Sequence, residues 1–172
     1  ILLESYHYLC TKFKVNITIQ RIQTIFLFIA AILAGVLFFC PIASFDYGTE
    51  MMRLTVLGVD NQIDATYFGG GYSIPLLILT ILMVIIPIFT IFKFKNRQLQ
   101  LKLSSLVVFL NAVFCGLVFL YYVSNIQKTI ATESVYYNFG IYVPLINMVM
   151  AVLAMRWIKK DIELIKSIDR LR

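Results

Sequence analysis

Four apolar runs, at residues 25–43, 74–92, 103–123 and 139–155, dominate this sequence. Each is about 17 to 21 residues long, or about 26 to 32 Å as a helix, which matches the hydrocarbon core of a bilayer. A water-soluble fold could not cover them. Of 172 residues, 60% are hydrophobic and only 14% charged, with a mean hydropathy of +0.87, so too little polar surface exists for a soluble shell. The chain therefore reads as an all-α integral membrane protein, a four-transmembrane-helix antiparallel bundle that uses the lipid bilayer as part of its solvent. The first run is expected to be retained as a helix, because Cys40-Pro41-Ile42 is not a small-x-small cleavage site.

The basic residues set the orientation. The net charge is +6, but Lys and Arg crowd beside the apolar runs, as membrane-flanking charge does, which sets nucleic-acid binding aside. Lys12, Lys14 and Arg21 precede the first run, and Lys93, Lys95, Arg97 and Lys102 fill the second connection. Arg156, Lys159, Lys160, Lys166, Arg170 and Arg172 fill the tail. Only Arg53 and Lys128 fall on the other face, and an even number of crossings allows all the rest to be cytoplasmic together, with both termini. Tyr72, Tyr121, Tyr122, Tyr136 and Tyr137 then sit near the outer boundary and Trp157 near the inner one, as interfacial anchors.

The longest outer connection runs over residues 44–71. Residues 52–59 read as one strand, Asp60-Asn61-Gln62 as a turn and residues 65–68 as a second strand, which predicts a small periplasmic hairpin. Gly69-Gly70-Gly71 makes a loose joint before Pro75, which suits a first helical turn. The second outer connection, near residues 124–138, is short.

Within the runs, Asn111 lies nine residues from Lys102 and Asn147 nine before Arg156. Both therefore sit about 13 Å above the inner boundary. Amides at a shared depth either bond across the bundle, worth about 0.6 to 2 kcal/mol in membrane proteins, or line a polar path. Ala31 with Gly35, and Ala112 with Gly116, are spaced four apart and predict faces where helix backbones approach closely. Pro87 and Pro144 each predict a kink. No Asp, Glu, Lys, Arg or His falls inside any of the four runs, which removes the usual charged site of a pump.

Metal and thiol chemistry find little support. Cys10, Cys40 and Cys115 stand far apart without C-x-x-C spacing, and His7 has no ligand partners near it, so no cofactor or metal is expected. Asp60, Asp64 and Glu133 are the acids an outer-face enzyme would need, and solvated loop acids are the commoner reading. After Arg156, Ile158, Ile162, Ile165 and Ile168 recur at helical spacing among Trp157, Lys159, Lys160, Arg170 and Arg172. Residues 156–172 are thus predicted to be a cytoplasmic amphipathic helix that lies on the anionic inner leaflet or docks against a partner.

Ile19-Gln20-Arg21-Ile22-Gln23-Thr24 before the first run, and Lys160-Asp161 through Leu164 and Ser167 to Asp169-Arg170-Leu171-Arg172 at the end, carry a family resemblance. The chain resembles an uncharacterised family of four-helix inner-membrane proteins from Bacteroidetes, domain of unknown function 4293, over about residues 18–172. The resemblance implies a single transmembrane domain at residues 18–172 with residues 1–17 as an extension, in the inner membrane of a Gram-negative cell. It brings no activity, cofactor or catalytic residue. Uncharged spans, small-residue faces and a basic amphipathic tail favour a non-enzymatic accessory or structural subunit bound to other membrane protein subunits. The alternative is a small oligomeric transporter or channel for a neutral or lipidic solute, built around Asn111 and Asn147.

Overall fold

A computed structural model describes residues 22–47, 50–60, 71–94, 96–130 and 134–169. The predicted extension at residues 1–17 and the predicted strand at 65–68 lie outside these. The fold is mostly helical, with four helical rods and a small sheet at one end, so the all-α expectation is corrected to helices plus a four-stranded sheet.

Helix α1, Ile22–Val36, is shorter than the predicted 25–43. The reason is local. Cys40 precedes Pro41, a position disfavoured in α-helix, and the last turn winds down through bonds from the Phe38 and Phe39 amides to the Gly35 and Val36 carbonyls. The chain then enters strand β1, Ala43–Tyr47, which pairs antiparallel with β2, Glu50–Leu54. The predicted strand at 52–59 is bent in its middle. Thr55 receives Gly58 into a tight turn, its amide and hydroxyl both donating to the Gly58 carbonyl at 2.9 and 2.7 Å. β3, Val59–Asp60, therefore folds back on β2 rather than extending it.

The fourth strand comes from the connection between the helices Ser124–Ile130 and Tyr142–Asp169. β4, Val135–Tyr137, pairs antiparallel with β1, giving the order β3-β2-β1-β4. Asn138 reinforces the join, its amide donating to the Ile42 carbonyl and its side-chain Nδ2 to Ser44 Oγ. The expected hairpin is thus a sheet that ties two distant segments, with Phe45 on its central strand fully buried.

Helix α2, Ile74–Phe92, begins with Pro75 in its first turn as expected. A tight turn follows, and Asn96 caps the next helix by accepting the Leu99 amide at 3.1 Å. That cap starts α3, Arg97–Gly116, six residues earlier than the apolar run does. A π-helical turn, Leu117–Val123, and α4, Ser124–Ile130, continue it as one rod, Arg97–Ile130. A 3-10 turn, Phe139–Ile141, leads into α5, Tyr142–Asp169. From Tyr142 of the predicted run to Asp169 of the predicted tail the chain is therefore one unbroken helix.

Among the described residues, three helices are long and apolar enough to cross a membrane: Ile74–Phe92, Arg97–Ile130 and Phe139–Leu164. Their exposed faces are apolar, with Ile85, Phe109 and Val149 each more than half exposed. α3 packs chiefly on α5 and secondarily on α2. One contiguous core runs from the sheet, through Ile42, Phe45 and Leu54, into the helices at Leu37, Phe114 and Tyr122. The sheet is thus seated on the helices rather than tethered to them. The sheet forms one end of the body, the sheet end, and exposed Lys93, Lys102, Arg156, Lys159 and Lys160 crowd the other, the basic end.

Candidate functional site

Among the described residues, the buried polar side chains Gln100, Ser104, Asn111, Asn147 and Asp161 lie on α3 and α5, while Gln23, Ser44, Ser73, Thr80 and Thr90 are buried elsewhere. On α3, Gln100, Ser104, Val107, Asn111 and Phe114 are buried, at alternating spacings of three and four. On α5 the buried positions Val143, Asn147, Ala151, Ala154, Ile158 and Asp161 follow nearly the same rhythm. Such a repeat places one stripe of each helix against the other.

An ion pair sets their register. Arg97 Nη1 lies 2.5 Å from Asp161 Oδ1, with the Asp161 side chain wholly buried and that of Arg97 26% exposed. α3 and α5 run antiparallel, so counting inward from this pair brings Gln100 level with Ile158, Ser104 with Ala154 and Val107 with Ala151. Asn111 and Asn147 come next, about 21 Å from the ion pair at 1.5 Å per residue. The shared depth expected of the two asparagines follows from the contact.

The expected bond between them is not made. Asn111 Nδ2 instead donates to the Val107 carbonyl one turn back, at 2.8 Å. Asn111 Oδ1 and both polar atoms of the Asn147 amide are buried with no hydrogen-bond partner among the described residues. Gln100 Nε2 donates to the Thr90 carbonyl at 3.1 Å, which fastens the end of α2 to α3. Its Oε1, Ser104 Oγ, Asp161 Oδ2 and, on α1, Gln23 Oε1 also lack partners among the described residues. Leaving a buried polar atom unmet costs about 1–3 kcal/mol in general.

Other predicted residues fall elsewhere. Ala31 is buried, beside Ala30 and Ala34, but a side chain built at Gly35 meets nothing within 4 Å. Ala112 is exposed, and a side chain built at Gly116, which is half-buried, meets nothing within 4 Å among the described residues. α2 stays helical through Pro87, which is buried. Pro144 is the third residue of α5, where its missing N–H breaks no intrahelical bond, so the expected kink has no cause there.

The predicted interaction helix is partly consumed by the fold. Ile158 is fully buried against the body, as is Asp161, while Lys159 and Lys160 point outward and Ile162 is half-buried. Lys160 Nζ lies 5.4 Å from the Trp157 ring centroid. Arg170 and Arg172, and the side chains of Ile165 and Ile168, lie outside the described residues. So do Asp64 and Glu133, whereas Asp60 is exposed at the sheet edge.

Sequence reasoning missed the partial burial of Arg97 and the burial of Gln100 and Asp161 because it stopped each span at the edge of its apolar run, and it passed over Ser104 just inside the third run. The signal was present: positions 97, 100, 104 and 111 keep the spacing of the run that follows them. A fully buried acid at 161 also qualifies the expectation that the spans are free of charge, since helix α5 passes beyond its apolar run before ending.

The model of a family described as a domain of unknown function, 4293, matches residues 19–171. No curated protein matches the chain.

Proposed function

This chain belongs to the family of domain of unknown function 4293, and from that premise we propose that it is a non-enzymatic accessory or structural subunit of a larger inner-membrane assembly. In this reading it forms an antiparallel bundle crossing the inner membrane of a Gram-negative cell four times, with both termini cytoplasmic and the sheet in the periplasm. Exposed Lys93, Lys102, Arg156, Lys159, Lys160 and Lys166 at the end opposite the sheet support that orientation.

The observation that carries the reading is the continuity of α5 from the span into the basic tail. Buried Ile158 and the Arg97–Asp161 pair hold the tail at a fixed angle, so Lys159, Lys160, Glu163 and Lys166 form a rigid outward face suited to a protein partner. The test is gentle solubilisation from the native membrane, followed by particle-mass determination and mass spectrometry of co-purifying chains. A full chain carrying Lys159→Glu, Lys160→Glu and Lys166→Glu should insert yet lose a stoichiometric partner that the unaltered chain retains. Retention of that partner by the triple variant would remove the tail as the docking element. A particle of this chain alone, from unaltered protein, would remove the subunit reading.

The unpartnered Asn111 Oδ1 and Asn147 amide favour a second reading, a small oligomeric transporter or channel for a neutral or lipidic solute. Liposome flux that survives Asn111→Leu together with Asn147→Leu would end it.

A further inference from the structure

The strand register turns one loop of the sheet back towards the helices. β1 leaves the helical body at Ala43, which pairs with Leu54 and Tyr137, and Leu54 pairs in turn with Val59; these four form the row nearest the helices. The Ile42 amide donates to the Leu54 carbonyl at 2.8 Å, so the turn from Thr55 to Gly58 hangs on the helix side of that row. Val56 in the turn is buried in the core, but Leu57 is 62% exposed. Phe39, just before the row, is 90% exposed, and Tyr137 and Phe139 beside it are exposed as well. The charged residues of the strands, Asp46, Glu50, Arg53 and Asp60, all lie on the far side of the row.

We propose that this row is seated in the bilayer itself, with Leu57 and Phe39 inserted at the boundary between phospholipid headgroups and acyl chains on the sheet side. Length supports that occupant. Helix α1 starts just after the charged Arg21 and rises about 22 Å to Val36, against about 30 Å of hydrocarbon, so residues 37–42 complete the crossing. Non-helical backbone is tolerated at that depth only where its polar groups are met within the protein. The amides of Phe38, Phe39, Cys40 and Ile42 all donate within the chain, Pro41 has none to satisfy, and the Pro41 and Ile42 carbonyls accept from Gly140 and Asn138. Exposed Leu120 on the π-helical turn joins the row to the apolar surface of the helices, since its neighbour Phe119 meets the Tyr137 ring at 5.6 Å. The inference rests on the bilayer crossing proposed above, adds the depth of the sheet to it, and needs no partner protein.

Tryptophan fluorescence of the full chain in phosphatidylcholine vesicles tests it, with Trp157, the one tryptophan of the sequence, replaced by phenylalanine. Single tryptophans are placed at exposed Leu57, Phe39, Met51 and Phe109, so the core is left intact. The quenchers are bromines on the lipid chains, either near the headgroup or near the bilayer centre, and iodide in the water on both sides. Emission of Leu57→Trp and Phe39→Trp should fall by at least about half with the shallow bromines, as for side chains buried about 5–10 Å into the headgroup boundary. Met51→Trp, on β2 about 10 Å further out than Leu54, should answer to iodide instead. Phe109→Trp, within the α3 span, should answer to the deep bromines. Iodide quenching Leu57→Trp as strongly as Met51→Trp, with Phe109→Trp still quenched by deep bromines, would overturn the seating and leave the crossing intact. Phe109→Trp untouched by either lipid would overturn the crossing and the seating together.

Discussion

Single residues at the sheet end decide whether the two connections that build the sheet can meet. Gly140 donates its amide to the Pro41 carbonyl at 3.1 Å, and a Cβ there would lie 2.5 Å from that same oxygen. The neighbour is backbone, so relief requires moving the strand entry itself. Gly140→Ala should destabilise the protein by about 1–3 kcal/mol, read as a lower thermal midpoint in detergent micelles. Gly116→Ala, which meets nothing within 4 Å inside a helix, should leave the midpoint unchanged or raise it. At the opposite end, Arg97→Ala would strand a fully buried carboxylate at a cost of about 3–5 kcal/mol, and the double replacement Arg97→Met with Asp161→Leu should recover most of the loss. If the double variant is no more stable than the single one, the ion pair contributes through something other than charge compensation.

At the scale of elements, α3 and α5 are the frame on which the rest is hung. Their register rests on one ion pair and one shared spacing, and both can be checked by cross-linking. Cysteines at Ser104 and Ala154 should be joined by a short thiol cross-linker, whereas a pair at Leu106 and Val149, both on outward faces, should not. The Ser104–Ala154 pair failing while another α5 position succeeds would shift the register and separate Asn111 from Asn147. This much of the site was legible beforehand: the equal depth of the two asparagines came from counting residues, and the contact agrees. Their failure to bond was not legible, because Asn111 turns its Nδ2 to Val107 on its own helix, a choice of rotamer that spacing does not encode.

For the molecule as a whole, the sheet and the basic residues mark opposite ends, and the orientation of that axis is itself a measurable quantity. Reporter fusions joined after residue 172 should be active on the cytoplasmic side, and a reporter placed at Gly58 in the exposed sheet turn should be active on the other. Opposite reporter activity at both sites would invert the topology, and the same activity at both would mean that the chain does not separate its two ends across a bilayer. The sheet also makes two connections one unit: β1 is flanked by β2 on one side and β4 on the other, so the segment after the first helix is joined to the segment before the last.

The apolar character that suits helices to a bilayer, the approximate placement of three long helices, the first-turn role of Pro75 and the lopsided distribution of charge were determined by the sequence alone. Each follows from composition or from a short-range pattern, and a bilayer answers to hydropathy integrated over about twenty residues. The tertiary structure decided the rest. Helix ends moved where local caps outweighed hydropathy, at Pro41 for α1 and at Asn96 for α3. β1 took a strand from residues 135–137 as its second neighbour, because strand pairing depends on which edges the helices bring together. The buried ion pair and the polar seam emerged for the same reason: α3 and α5 extend beyond their apolar runs, and only their packing shows which polar side chains that extension encloses.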